Sequence, residues 1–230
     1  MGAPLKSPQT VTVFGAAGPT GLLVCLTALA AGHRVRAVSR RDDPLPLPGS
    51  DRLVQVRADA VTGTGVENAV TGADAVLSTL GCAYQRSAVT VYSSGTQHIV
   101  EAMRRAGTGR RLVVVSSGLT YEPPKMNWFA NTALFPLLRN VVGRTLYADM
   151  RRMEEALRDE PDIEWTVMRP GRLFNAPAPS AYRLDAEAPS QGWTARADLA
   201  AAMVAELQPG TAHPHQAVAP TTTRRGASSA

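Results

Sequence analysis

Two rhythms of apolar and polar residues alternate along this 230-residue chain. Short apolar runs bounded by Gly, Pro, Asp and Ser read as buried strands. Longer stretches with apolar residues three or four apart read as helices. Strands are expected near 11–15, 34–39, 52–56, 74–80, 111–116 and 163–168, and helices near 19–31, 64–71, 88–106, 144–159 and 196–207. Regular strand–helix alternation predicts a single α/β domain over 10–207, a parallel sheet with helices on both faces. Two connections are long. Segment 117–143 holds Pro123, Pro124, Trp128, Phe129 and Pro136, and segment 169–195 is rich in Pro and Gly. Both follow strands, and ligands in such sheets bind beyond the carboxyl ends of the strands, so both are assigned to substrate binding. Residues 1–9 and 208–230 are short of large apolar residues and are expected to be disordered.

The first strand-to-helix turn carries the strongest chemical signal. Residues 11–21 read VTVFGAAGPTG, and an apolar helix containing Leu22, Leu23, Val24, Leu26 and Leu29 follows at once. Gly15, Gly18 and Gly21 suit a backbone that turns sharply and passes close to a ligand. A helix N-terminus there offers free N–H groups and the positive end of its dipole to a diphosphate. Pro19 fits as a first-turn residue, because its missing N–H has no partner there anyway. A tight turn without ligand would look similar. The strand before, the helix after and a second strand at Val35–Val38 favour a dinucleotide.

Composition narrows the field. Hydrophobic and charged contents of 44% and 19% are those of an ordinary globular protein. The net charge is +5, but the basic residues are scattered arginines, with Lys6 and Lys125 the two lysines, and no basic run is interleaved with aromatics. Nucleic acid is therefore not an expected partner. No apolar run reaches the ~18 residues of a membrane span. The N-terminus shows no secretion pattern, and Lys6 stands where a myristoylation motif wants Ser or Thr. Cys25 and Cys82 make no disulfide framework, and the four histidines lack metal-ligand spacing. A cytoplasmic monomer or homodimer acting on a small molecule is expected, with no metal.

The second strand ends Val38-Ser39-Arg40-Arg41, where a site for NAD would carry Asp or Glu for the ribose 2′-hydroxyl. Ser39, Arg40 and Arg41 suit a 2′-phosphate instead, which favours NADP(H). Either arginine could equally be a solvated loop residue, or be neutralised by Asp42 or Asp43. After the third strand, Asp59 could accept from the adenine amino group with Ala60 behind the ring, or simply cap its loop. The fourth strand ends Thr79-Leu80-Gly81-Cys82, where Gly81 lets the backbone pass near a ribose.

In order, VFGAAGPTG, the strand-end RR, RAD at 57–59, STLG at 78–81, VVVSSG at 113–118, WTVMRPG at 165–171 and AYRLDAEAPSQGWTARADLA at 181–200 occur along the chain. This ordered set resembles the atypical short-chain dehydrogenase/reductases of the NmrA-like, NAD(P)H-binding group, and within it the biliverdin-IXβ/flavin reductase type. The resemblance covers nearly all of 11–207. It implies a Rossmann-like fold, bound NADP(H), and hydride transfer to a small, often aromatic, acceptor. By position it implies that Gly15, Gly18, Thr20 and Gly21 hold the diphosphate, Arg40 the 2′-phosphate and Asp59 the adenine. Leu80 and Gly81 would lie by the ribose, and Ser116 in the same cofactor-binding set. Ser117 matches a serine facing the nicotinamide, and Pro170, Gly171 and Arg172 the loop beside its carboxamide.

The catalytic pattern departs from that of ketone-reducing relatives, where a helical Tyr-x-x-x-Lys protonates the product alkoxide. Tyr147 and Arg151 have that spacing, with Arg in place of Lys. Aligning on EEAL at 154–157 and on RPG instead puts Leu146 and Met150 at those positions, in an apolar stripe with Met153 and Leu157. Tyr147 then lies ~100° around the helix. Without the dyad, acceptors whose reduced form is a stabilised anion suit the site, such as flavins, quinones and enones. Ser117 or water could complete the protonation. Tyr121, Trp128 and Phe129 could stack on a flat ring or form a small packed subcore, Arg183 could meet an anionic group, and Cys82 could line the site. The expected function is an NADPH-dependent reductase of conjugated or aromatic small molecules. A non-redox isomerase, cyclase or dehydratase retaining NADP, and an NADP-sensing regulator, are the alternatives.

Overall fold

The computed structural model describes residues 8–85, 87–107, 109–121 and 143–223. They build an eight-stranded sheet in the order β3-β2-β1-β4-β5-β6-β10-β8. β1 (Thr10–Phe14), β2 (Arg34–Ser39), β3 (Leu53–Arg57), β4 (Ala75–Ser78), β5 (Arg111–Val115) and β6 (Glu164–Met168) are parallel to their neighbours. This is the doubly wound Rossmann order expected for the fold class.

Period two along the strands divides the core between the two faces. On one face Phe14, Val38, Val76, Leu112, Val114 and Val167 pack with α2 (Val66–Val70), α3 (Ser93–Ala106) and α4 (Arg144–Arg158). On the other, Val11, Val13, Val35, Leu77, Val113 and Met168 pack with α1 (Pro19–Ala30) and α5 (Arg196–Ala205). Thr12 is buried in β1 because its hydroxyl donates to the Ala69 carbonyl 2.8 Å away. Cys25 is a buried residue of α1 whose thiol is pushed up to about 12 by burial.

Three features differ from the expectation. α3 starts at Ser93 rather than near 88, because the Asp149 carboxylate accepts from the N–H groups of Tyr92 and Ser93 and from the Ser93 hydroxyl. Segment 169–195 is structured: β7 (Arg172–Phe174) and β9 (Trp193–Ala195) pair as a small parallel sheet, and β8 (Arg183–Ala186) joins the main one. The stretch expected to be a loose tail holds β10 (Gln216–Thr221), parallel to β6 and antiparallel to β8. Pro220 is tolerated there because it lies beyond the three residues that pair with β6. No helix among the described residues is long and apolar enough to cross a membrane.

Candidate functional site

A cavity of about 740 Å³ opens where the sheet order reverses, between β1 and β4, at the carboxyl ends of the strands. Most of the residues expected to bind cofactor line it together: Gly15, Gly18, Pro19, Thr20 and Gly21 from the first turn, Ser39, Arg40 and Arg41 after β2, Asp59 and Ala60 after β3, and Leu80 and Gly81 after β4. Cys82 lines it as well.

The three glycines have different reasons to be glycine. Gly15 has φ +75°, and a Cβ there would lie 2.7 Å from the Thr79 carbonyl oxygen. A Cβ on Gly21 would collide with the Gly15 carbonyl. The protein's own packing requires both. At Gly18, φ −81° and ψ 159° suit any residue, and a Cβ would meet only the Gly15 oxygen at 3.4 Å. That space is left open towards the cavity. Gly18 is the N-cap of α1 and supplies no side-chain cap, while Pro19 begins the helix. First-turn N–H groups have no intrahelical partner, so they remain available to an anion.

At the end of β2 the Ser39 hydroxyl is buried and accepts from the Arg41 N–H at 3.1 Å. Asp42 pairs with Arg57 at 2.8 Å and so does not neutralise its neighbours. Among the described residues neither Arg40 nor Arg41 makes an ion pair. Asp59 lines the cavity and also caps its loop, accepting from the Val61 N–H at 2.9 Å. The donor set fits a phosphate-bearing dinucleotide: open helix N–H groups at one point, two unpaired guanidinium groups at another.

The remaining expected residues are deployed differently. Ser116 is buried away from the cavity lining and donates to Glu154 at 2.5 Å. Arg169, of the RPG motif, donates to the same carboxylate and to Glu187 at 2.6 Å, tying the end of β6 to α4 and β8. Burial alone would lower the Arg169 pKa, but the two carboxylates outweigh it and raise it. Pro170 and Gly171 hold backbone register, the Pro170 carbonyl accepting from Gly118 and the Gly171 N–H donating to Thr194. Arg172 stacks on Trp193 at 5.0 Å, and Arg183 bonds Ser190. Tyr121 sits under Arg169 and accepts from Arg158. Neither Arg172, Arg183 nor Tyr121 lines the cavity. Trp128 and Phe129 lie outside the described residues.

Tyr147 is buried, and its hydroxyl lies 2.8 Å from that of Tyr84, with a further hydrogen bond to Ser117. Burial, followed by the Tyr84 bond and charge, pushes its phenol well above the ordinary value, with Ser117 pulling the other way. Arg151 instead donates to the Thr120 carbonyl at 3.0 Å, so the structure does not join Tyr147 and Arg151 as a dyad. Burial and the Asp149 carboxylate raise the Cys82 thiol, which leaves it protonated. Among the described residues no cluster of His, Cys, Asp or Glu could hold a metal.

Sequence reasoning did not single out Leu173 and Arg196, which also line the cavity. Arg196 lies in the ARADLA run, whose position just before an apolar helix was the available signal. Tyr84 was missed because nothing local marks a tyrosine whose partner is 63 residues away.

The model of the NAD(P)H-binding family matches residues 15–209. An uncharacterised chloroplast protein of Arabidopsis thaliana is 32% identical over 183 residues, covering 74% of this chain and 61% of that protein. An uncharacterised Mycobacterium tuberculosis protein is 36% identical over 109 residues, 47% of this chain and 12% of its own length. The chain thus spans less than two thirds of these relatives. Among solved structures, a Veillonella parvula short-chain dehydrogenase/reductase in complex with NADP has TM-score 0.76 at 20% identity, covering 94% of this chain and 95% of that one. A Streptococcus pneumoniae protein provisionally called an NADH-flavin reductase has TM-score 0.71 at 21% identity, with 94% and 100% covered. At these identities the likeness shows the fold.

Proposed function

Because the chain belongs to the NAD(P)H-binding family, we propose that it is a reductase that prefers NADPH and passes hydride to a conjugated or aromatic small molecule. The observation that carries the reading is one cavity lined by the open α1 N-terminus and by two guanidinium groups that make no ion pair among the described residues. The first-turn N–H groups and Gly18 would take the diphosphate, and Ser39, Arg40 and Arg41 the 2′-phosphate. The bound nicotinamide would supply a hydride. The chain's own part is to orient it and to stack the acceptor against it.

The class of acceptor follows from Tyr147. A phenol works as general acid on a ketone when a nearby cation lowers its pKa. Here Arg151 is engaged elsewhere and the Tyr147 proton is held tightly. Acceptors that become stabilised anions on reduction, such as flavins, quinones and conjugated enones, need no such donor. Water can deliver the proton afterwards, since Ser117, the other candidate donor, does not line the cavity.

The test is to incubate the protein with NADPH or NADH and a panel of quinones, flavins, enones and simple ketones. Oxidation of NADPH with conjugated acceptors, lost in a Gly18→Asp control, is the expected result. No NADPH oxidation above that control with any of these acceptors would reject the reading.

A further inference from the structure

Arg196 is the first residue of α5 and lines the cofactor cavity together with the glycine turn and with Arg40 and Arg41. Its local setting is unfavourable on its own terms. A cation in the first turn of a helix opposes the helix dipole. Among the described residues no carboxylate pairs with it: Asp198, two residues on in the same first turn, accepts instead from Ser180 and Thr222. Its Nε is buried without a partner, and one Nη donates to Asn175 Oδ1 at 2.9 Å. Such a local conflict, uncompensated by the fold, marks a group kept for a ligand.

The geometry is built rather than incidental. Phe174 of β7 pairs with Ala195 of β9, so the next residues, Asn175 and Arg196, emerge side by side from the small parallel sheet. α5 packs directly along α1 on the same face of the main sheet. Arg196 thereby stands at the same end of the sheet as Pro19, the first residue of α1, and both line the cavity. Among the described residues the lining cations are Arg40 and Arg41 from the end of β2 and Arg196 from the start of α5, and the lining carboxylate is Asp59.

We propose that Arg196, braced by Asn175, binds the diphosphate of the dinucleotide together with the glycine turn. The ligand it selects is a dinucleotide diphosphate, not the anionic group of an acceptor. The inference rests on the cofactor reading above and adds a residue and a loop to it. Segment 169–195, expected to hold substrate, then also supplies the brace for a cofactor contact.

Calorimetry separates the two layers by using ligands with and without the diphosphate. Wild type, Arg196→Met, Arg196→Lys and Asn175→Ala would be titrated with NADPH, 2′-phospho-ADP-ribose and adenosine 2′-phosphate. A charge-assisted contact predicts a roughly ten- to hundredfold weaker Kd in Arg196→Met for the two diphosphates. Adenosine 2′-phosphate should bind as to wild type. Arg196→Lys, which keeps the charge without the fork, and Asn175→Ala should fall between. Unchanged NADPH affinity in Arg196→Met and Arg196→Lys overturns the proposal, and so does an equal loss for adenosine 2′-phosphate. A rise in acceptor KM with NADPH affinity intact also overturns it, assigning the guanidinium to the acceptor. If wild type binds none of the three, the cofactor reading itself fails and this inference falls with it.

Discussion

Gly18→Asp separates folding from cofactor binding in one substitution. Gly18 is the N-cap of α1, its φ and ψ suit Asp, and the space a Cβ needs is open apart from the Gly15 oxygen at 3.4 Å. An N-cap Asp accepts from first-turn N–H groups and is more stabilising than Gly by a few tenths of a kcal/mol. Its charge at the helix N-terminus adds about 0.3–1 kcal/mol. The unliganded variant should therefore melt no lower than wild type, and up to about 4 °C higher for a domain of this size. Binding should behave oppositely. The new carboxylate takes the N–H groups a diphosphate needs and stands about 5 Å from it, where each phosphate charge repels by about 3 kcal/mol at an effective dielectric constant of 20. Solvent in the open cavity reduces this, leaving a net loss of about 2–4 kcal/mol, a roughly thirty- to thousandfold weaker Kd. Thermal unfolding with and without NADPH, beside calorimetry, reads both effects. In Gly21→Ala, by contrast, the new methyl collides with the Gly15 carbonyl, so stability and binding should fall together by overpacking of about 1–3 kcal/mol. A Gly18→Asp protein that binds NADPH within about tenfold of wild type, or that unfolds as readily as Gly21→Ala, refutes the argument.

Arg169→Met leaves Glu154 buried without its partner, which should cost about 3–5 kcal/mol and lower the melting temperature by roughly 10 °C or more; a shift under about 3 °C in calorimetric scans would mean that the pair is dispensable. His33 is buried, burial lowers its pKa, and its Nδ1 accepts from the Gln9 N–H. Because the unfolded chain takes up the proton first, this contribution is complete above about pH 6.5 and is lost as the pH falls below that value through the lower folded-state pKa. Urea midpoints between pH 5 and 8 should fall on the acid side in wild type and flatten in His33→Gln; parallel curves would contradict the assignment. Tyr147→Phe should reduce turnover of a quinone by less than about threefold, against the roughly 10²–10⁴ expected of a lost general acid. A loss of that size in steady-state kcat would make Tyr147 the proton donor and reopen ketones as substrates.

The strands of the Rossmann core were legible because each is an apolar run closed by a turn residue, and because the order of strand and helix leaves few topologies. The glycine turn was legible for the same local reason, and so were Ser39, Arg40 and Arg41, which directly end β2. Two of the missed strands carry charge or proline: Arg183-Leu-Asp-Ala for the short β8, and Gln216 to Thr221 with Pro220 inside β10. Their hydrogen-bond partners are far along the chain, so no local period announces them.

The same distinction explains α4, on which the acceptor class depends. An apolar stripe of Leu146, Met150, Met153 and Leu157 is readable at helical spacing, and all four are buried. Tyr147, Asp149 and Glu154 are buried with them, widening the covered face well beyond the stripe. Most buried polar side chains have a partner, and apart from Arg152, three residues on from Asp149, the partners here are distant in sequence. Tyr84 and Ser117 meet Tyr147, Tyr92 and Ser93 meet Asp149, and Ser116 and Arg169 meet Glu154. Each links α4 to a different stretch, namely the loop after β4, the start of α3, and the ends of β5 and β6. Tyr147 and Arg151 have the spacing of a catalytic pair, but chemistry depends on which tertiary partner each group finds. Arg151 finds a carbonyl and Tyr147 two hydroxyls, so the cation that would acidify the phenol is absent from it, and this is the ground on which the proposed acceptors are ones that stabilise negative charge themselves.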